Sequence, residues 1–363
     1  MSRSLSKVFK TALSALHYSG VSRAVAPYTR GRGVIFMLHN VHPEPPRDFE
    51  PNRILKVTPD FLETVVRQVI DEGFDLLSLD DIDERLKDPN DKKPFACFTF
   101  DDGYRDNRDF AYPIMKRFNV PFTVYVPSEF PDGKGNLWWF NLEEVIANTS
   151  EVSVQMQNTL TTFPTTTVAE KEHAFGKIYW WLRTLPECRA RAVVDDLATS
   201  VGIDPYQKGR DLIMNWDELR EFAKDPLVTI GAHTRNHFAL AKLPRDKAYV
   251  EMSESISRLE AKLGLQVRHF SYPYGCRQSA GAREFEIAKE LGMQTAVTTQ
   301  KGLLFRDHCN AMTALPRLSL NGDFQNPNFV KVMLSGAPFA LWNMVQRIAG
   351  PSTPPQVLET TLK

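Results

Sequence analysis

FACFTFDDGYRDN, residues 95–107, is the stretch on which the fold turns. A short apolar run ends abruptly in two carboxylates and a glycine, which predicts a strand with Asp101 and Asp102 at its C-terminal end. The residues that follow, RDFAYPIMKRFN (108–119), place apolar side chains three or four apart and stop at Asn119, which predicts a covering helix. Strand followed by helix is one βα unit.

The same alternation runs outward in both directions from Gly33 onward. Further strands are expected at VIFMLH (34–39), FDLLSL (74–79), PFTVYV (121–126), LVTIGA (227–232), RHFSYP (268–273) and TAVTT (295–299). Residues 58–73, 216–225, 245–264 and 283–292 have helical spacing and stop at Gly or a turn. Seven such strands suit an α/β fold built as an incomplete barrel. Residues 128–215 break the rhythm with the turn PDGKGN, the clusters Trp138-Trp139-Phe140 and Tyr179-Trp180-Trp181, and a Thr-rich stretch. They are expected to be an insertion on the barrel rim, where they either wall a site or form a small core of their own. The organisation expected is a basic helical segment over 1–32, a barrel over 33–350, and a loose Pro-rich tail over 351–363.

Composition limits the classes of function. The chain has 363 residues, 42% hydrophobic and 24% charged, as in a soluble globular protein. Lys plus Arg and Asp plus Glu are each 44, a balance that argues against a dedicated nucleic-acid binder. Cys97, Cys188, Cys276 and Cys309 form no CxxC pair and read as thiols. No run of ~18 uncharged apolar residues occurs, and the N-terminus lacks the continuous apolar core of a secretory signal. A cytoplasmic location is therefore expected. The basic N-terminal segment reads either as a solvated helix or as one lying on the anionic inner face of a membrane, a peripheral contact.

Three constellations carry chemistry. Asp101 and Asp102 leave the strand in different directions, so one carboxylate can bind a metal while its neighbour reaches an attacking water; the alternative is an ordinary turn capping the next helix. His233 and His237, in VTIGAHTRNHFAL, stand four apart after another strand. On a helical turn they would share a face and could meet one cation, with an aspartate completing the set and open positions left over. RHFSYPYG (268–275) ends a third strand in a turn whose backbone N–H groups could receive an oxyanion, and Arg268 could point back to orient a carboxylate; a packed turn with a surface arginine is the alternative. All three lie at C-terminal strand ends, and they converge only if the strands run parallel, as the βα alternation independently requires.

Taken in order, TFDDG, HTxxH and RxxxxPYG resemble the signature motifs of the polysaccharide deacetylases, carbohydrate esterase family 4, which include nodulation-type chitooligosaccharide deacetylases. The resemblance spans roughly residues 33–320, interrupted by the insertion. It implies a distorted (β/α) barrel of about seven strands with a mainly helical insertion, and metal-dependent hydrolysis of an N-acetyl group on an amino sugar. By the same resemblance Asp101 is the catalytic base, and Asp102, His233 and His237 hold the metal. The Tyr274 backbone amide binds the oxyanion, and Arg268 positions the base.

Amide cleavage also needs an acid for the departing amine. The family's late leucine-rich motif often ends in histidine, yet the matching stretch here, ALPRLSLNGDF, has none. His39, at the end of the first expected strand, resembles the strand-end histidine of the poly-N-acetylglucosamine deacetylase branch and is the expected acid, with His42 and His308 as alternatives. Zinc is the expected ion, and Co2+, Ni2+ or Fe2+ suit the same donors. The expected partner is an N-acetylglucosamine-containing oligosaccharide or glycan precursor. A formamido or lipid-linked amino sugar and a non-catalytic sugar-binding module are the competing readings; the second has no use for a second carboxylate.

Overall fold

The computed structural model describes residues 3–90 and 92–349. Seven parallel strands close into a barrel: β1 (Gly33–Leu38), β2 (Phe95–Phe100), β3 (Phe122–Val126), β4 (Val228–Ala232), β5 (His269–Ser271), β6 (Thr295–Lys301) and β7 (Leu315–Ser319). Each pairs with the next in chain order, and β1 closes the ring by pairing with both β2 and β7. Every residue of β1, β2 and β3 is buried. A parallel strand is covered on both faces, which is why these segments read as unbroken apolar runs rather than as alternations.

The ring is closed, and its membership differs by one strand from the seven expected. Within 74–79 only Asp75–Leu76 is strand, paired with Phe95 and Ala96 beside the start of β2. One edge of β2 is taken along its length by β1, and the other is taken by β3 from Phe98 onward. Only residues 95–97 of that second edge remain, and Asp75 and Leu76 pair with the first two of them. The seventh place belongs to β7, where Leu318 pairs with Phe36 and Leu315 with Val297. Its sequence, LPRLS, has an arginine at the centre, and Arg317 is buried at 1% exposure. β5 is also shorter than expected, which leaves Arg268 before its start and Tyr274 beyond its end.

Between β3 and β4 the insertion folds as helices Trp138–Asn148, Val168–Leu182, Glu187–Ser200 and Gln207–Leu212 with one antiparallel hairpin, Glu151–Met156 against Thr159–Pro164. Trp138, Trp139, Phe140, Phe175 and Ile178 bury together, so the paired tryptophans do form a core of the insertion. That core continues through Tyr104, just past the end of β2, and packs against Tyr274. The insertion thus has a core of its own that reaches the ends of β2 and β5.

The described residues 3–31 and 326–349 form a second compact unit, with helices Arg3–Tyr18, Val21–Thr29, Pro327–Leu334 and Ala337–Ala349. The Thr29 hydroxyl donates to the Ser335 carbonyl at 2.6 Å. Gly336 sits at φ +76, and a Cβ there would stand 1.8 Å from the Thr29 carbonyl oxygen, so only glycine permits this approach. Residues 326–349, part of the 33–350 stretch assigned to the barrel from sequence, thus group with the N-terminal helices. The tail from Pro351 lies outside the described residues. All four cysteines are free thiols, and no described helix is long and apolar enough to cross a membrane.

Candidate active site

Asp101 and Asp102 follow β2, His233 follows β4, and Tyr274 follows β5, so parallel pairing alone brings them to one end of the barrel. The backbone there is unusual. Of seven non-glycine residues at positive φ among those described, four are Asp102, Thr234, His237 and Tyr274. Each costs about 1 kcal/mol or more relative to ordinary backbone, and such strain persists only where surrounding contacts enforce it. Around Thr234 and His237 the Ser255 hydroxyl donates to the Thr234 carbonyl, Arg191 donates to the Asn236 and His237 carbonyls, and Asn236 donates twice to the Glu251 carboxylate.

His233 and His237 lie on this braced loop and not on a helical turn. Their rings nonetheless meet edge-on, centroids 5.0 Å apart. Donor atoms of Asp102, His233 and His237 all lie within 4.8 Å of one another. The Asp102 Oδ1 stands 3.2 Å from the His237 Nε2 and 3.5 Å from the His233 Nε2, and it is buried without a hydrogen bond of its own among the described residues. His233 Nδ1 donates to the Ser271 carbonyl at 2.6 Å, which leaves the lone pair on Nε2. A buried orphan carboxylate oxygen beside two imidazole nitrogens fits a divalent cation, and two nitrogens plus one oxygen leave positions open. Burial resists ionisation of Asp102, but the two histidines outweigh it and hold the carboxyl well below its usual range.

Asp101 is gripped by Arg317. The Nη1 donates to Oδ1 at 2.8 Å and the Nη2 to Oδ2 at 2.7 Å, a bidentate fork. The same guanidinium donates to the Thr298 carbonyl and to the Thr99 and Ser271 hydroxyls. Both side chains are buried, the arginine completely. Burial raises the Asp101 pKa, but the Arg317 charge and hydrogen bonds prevail and place it below the ordinary value.

That geometry corrects the expectation for Arg268. It enters β5 from the opposite end of the barrel, and its guanidinium donates to Asp80 at 2.7 Å. Asp80 also meets His269 Nε2. The strand β5 intervenes between Arg268 and the rim, and the Asp101 carboxylate is held by Arg317 instead.

His39 directly follows β1, and its Nε2 lies 3.9 Å from the Asp101 Oδ2, with one fifth of the side chain exposed. Burial lowers its pKa, against the pull of Asp101 and Asp102. His42 is turned toward its own loop, where its Nδ1 accepts from the Glu44 N–H, and its ring packs edge-on against Phe110. His308 is remote: Leu304, four residues before it, bridges Gly33 at the start of β1.

Tyr274 packs edge-on against His237, and its hydroxyl accepts from the Trp138 Nε1 at 2.9 Å. Its carbonyl accepts from the Thr299 hydroxyl, and its own N–H makes no hydrogen bond among the described residues. A Cβ on Gly275 would lie 2.5 Å from the Thr299 nitrogen, so glycine lets the turn rest against β6. Trp139 covers His237 from the insertion, ring centroids 5.1 Å apart. Sequence reasoning missed Arg317, Arg191 and the covering role of Trp139. For Arg317 one signal exists, a lone arginine inside a strand-length apolar run.

A family model described as polysaccharide deacetylase matches residues 88–296. Among solved structures, the chain is similar to Streptococcus pyogenes deacetylase PplD in complex with acetate, at 20% identity and a TM-score of 0.54, covering 83% of this chain and 97% of that one. IcaB from Ammonifex degensii is 16% identical with a TM-score of 0.51, over 84% and 97% of the two chains. A de-N-acetylase from Aggregatibacter actinomycetemcomitans is also 16% identical at a TM-score of 0.51, over 83% and 99%. At these identities the likeness is one of fold. No curated protein matches the chain.

Proposed function

The chain belongs to the polysaccharide deacetylase family, and on that premise we propose that it is a metal-dependent hydrolase removing N-acetyl groups from an N-acetylglucosamine-containing oligosaccharide or glycan precursor. The observation that carries this reading is the second carboxylate. Asp102 with two histidines would suffice to hold a cation, whereas a fully buried Arg317 fork that keeps Asp101 ionised serves no binding purpose.

A divalent cation held by Asp102, His233 and His237, most simply zinc, supplies Lewis-acid polarisation of the acetamide carbonyl and lowers the pKa of water toward ~7. The protein's own groups do the rest. Asp101 takes a proton from the attacking water, and Arg317 fixes the plane of its carboxylate for that transfer. The Tyr274 N–H donates to the carbonyl oxygen as it gains negative charge. His39, one-fifth exposed and 3.9 Å from Asp101, hands a proton to the departing amine, without which the C–N bond would expel an amide anion. Burial makes its imidazolium a stronger acid. At the end of the cycle Asp101 holds a proton and His39 has lost one, and transfer through solvent restores both.

His39→Ala is expected to lower kcat by ~10²-fold or more with metal content unchanged and with the alkaline limb of the kcat profile lost, since that limb reports deprotonation of the acid. Near-normal kcat would remove His39 from the role of acid.

The reading as a whole is tested by acetate release from a defined N-acetylglucosamine oligomer. The zinc-loaded protein is expected to release acetate, and chelation is expected to stop it. No release at stoichiometric metal, with the oligomer still bound, would overturn the N-acetyl assignment in favour of a differently acylated amino sugar.

A further inference from the structure

The chain's zero net charge conceals a separation. Residues 1–31 and 326–363 carry eight Lys and Arg against one acidic residue, Glu359, a formal charge of +7. With 44 charges of each sign in the whole chain, residues 32–325 must carry −7. Among the described residues of the terminal unit there is no Asp or Glu at all.

This basic unit also exposes apolar surface that a solvated helical unit has no reason to show. Tyr28 is 88% exposed and Trp342 62% exposed, with Tyr18, Leu341 and Met344 exposed as well. On the helix Val21–Thr29, exposed Val21, Ala24 and Tyr28 recur at helical spacing. That helix packs against Ala337–Ala349, which bears Leu341, Trp342 and Met344. On the helix Arg3–Tyr18, Lys7 and Tyr18 are exposed, as is Arg23 on the next helix. Cations together with exposed Trp, Tyr and Leu are the two signals that jointly hold a protein at an anionic bilayer surface: cations gain from the lipid charge, and aromatic rings enter the headgroup boundary.

We propose that the unit formed by the two chain termini docks on an anionic phospholipid surface. The N-terminal segment is then not a solvated helix, and the C-terminal helices are part of the same surface. A nucleic acid would use the cations alone and leave Leu341, Trp342 and Met344 in water, which is why a lipid surface is the better fit.

The experiment is vesicle flotation of the full chain. Vesicles with roughly one-third phosphatidylglycerol in phosphatidylcholine are expected to carry the protein up, and pure phosphatidylcholine vesicles to bind at least about tenfold less. Raising salt from about 0.05 to about 0.5 M should weaken binding by a similar factor, because surface charge is screened. The double charge reversal Lys7→Glu with Arg23→Glu, and separately Trp342→Ser, are each expected to reduce flotation several-fold without altering metal content, circular dichroism or acetate release. Equal flotation on both vesicle types, or wild-type flotation by the charge-reversed protein, overturns the proposal. So does absence of flotation together with tight binding to an RNA oligomer in the same buffer, which would assign the cations to nucleic acid. Because flotation is read without turnover, its failure is independent of the deacetylase reading.

Discussion

Asp101→Asn is expected to retain stoichiometric metal and lose ~10²–10⁴-fold in kcat, the span that removal of a general base produces. The substitution preserves the shape of the side chain, deletes its capacity to accept a proton from water, and replaces one acceptor of the Arg317 fork with an amide NH2, so folding is checked beside the kinetics. The donor atoms of Asp102, His233 and His237 cluster without any contribution from Asp101, so metal content has no reason to fall. Asp102→Ala and His233→Ala are expected to behave oppositely, with metal and activity lost together, because each removes a donor from a set of three. Metal analysis beside single-turnover kinetics separates the two patterns. A metal-loaded Asp101→Asn protein with wild-type turnover would remove Asp101 from the chemistry and, with it, the feature that distinguishes a hydrolase from a sugar-binding module.

Arg317→Ala is expected to cost nearly as much activity, whereas Arg268→Ala should leave kcat within about twofold of wild type, as for a surface ion pair. Arg317 and Asp101 form a buried pair in which each charge is tolerated because of the other. Removing one partner of such a pair costs about 3–5 kcal/mol. The Asp101 carboxyl, stripped of the charge and hydrogen bonds that oppose its burial, should then rise in pKa and be protonated over part of the working range. The sign follows: in the wild type Asp101 is ionised at neutral pH, and in Arg317→Ala the acid limb of kcat/KM should move upward. Arg317→Lys is the control for folding, since it keeps the charge but cannot make the fork, and should recover stability more than rate. An inactive Arg268→Ala beside an active Arg317→Ala would reverse the assignment.

The two arginines show where sequence reading stops. Arg268 stands at the head of a motif, and counting residues from it to Pro273 invites the inference that it folds back on the aspartate. Whether it can depends on where β5 begins, and β5 begins at His269, with the arginine on the wrong side of it. Arg317 sits 216 residues from Asp101 along the chain. Its strand was concealed because a charged residue in a barrel wall is affordable only when its partner is already in place, and no local pattern announces a partner so distant. The histidine pair errs in the opposite, harmless direction. Spacing of four suggested a helical turn, yet the loop with Thr234 and His237 at positive φ brings the same two rings together.

The sequence by itself determined the βα alternation and the end of the barrel at which chemistry gathers, and it singled out Asp101, Asp102, His233 and His237 as candidates. Each of these follows from local periodicity or short spacing, which nearest-neighbour sterics and one-strand burial suffice to write. Only the tertiary structure decided which strand closes the ring, which arginine holds Asp101, how the insertion covers His237, and that the two chain ends form one basic unit. Those are pairings between distant segments, set by which buried charge finds a countercharge and which exposed edge finds a strand, and such choices exist only after the chain has closed on itself.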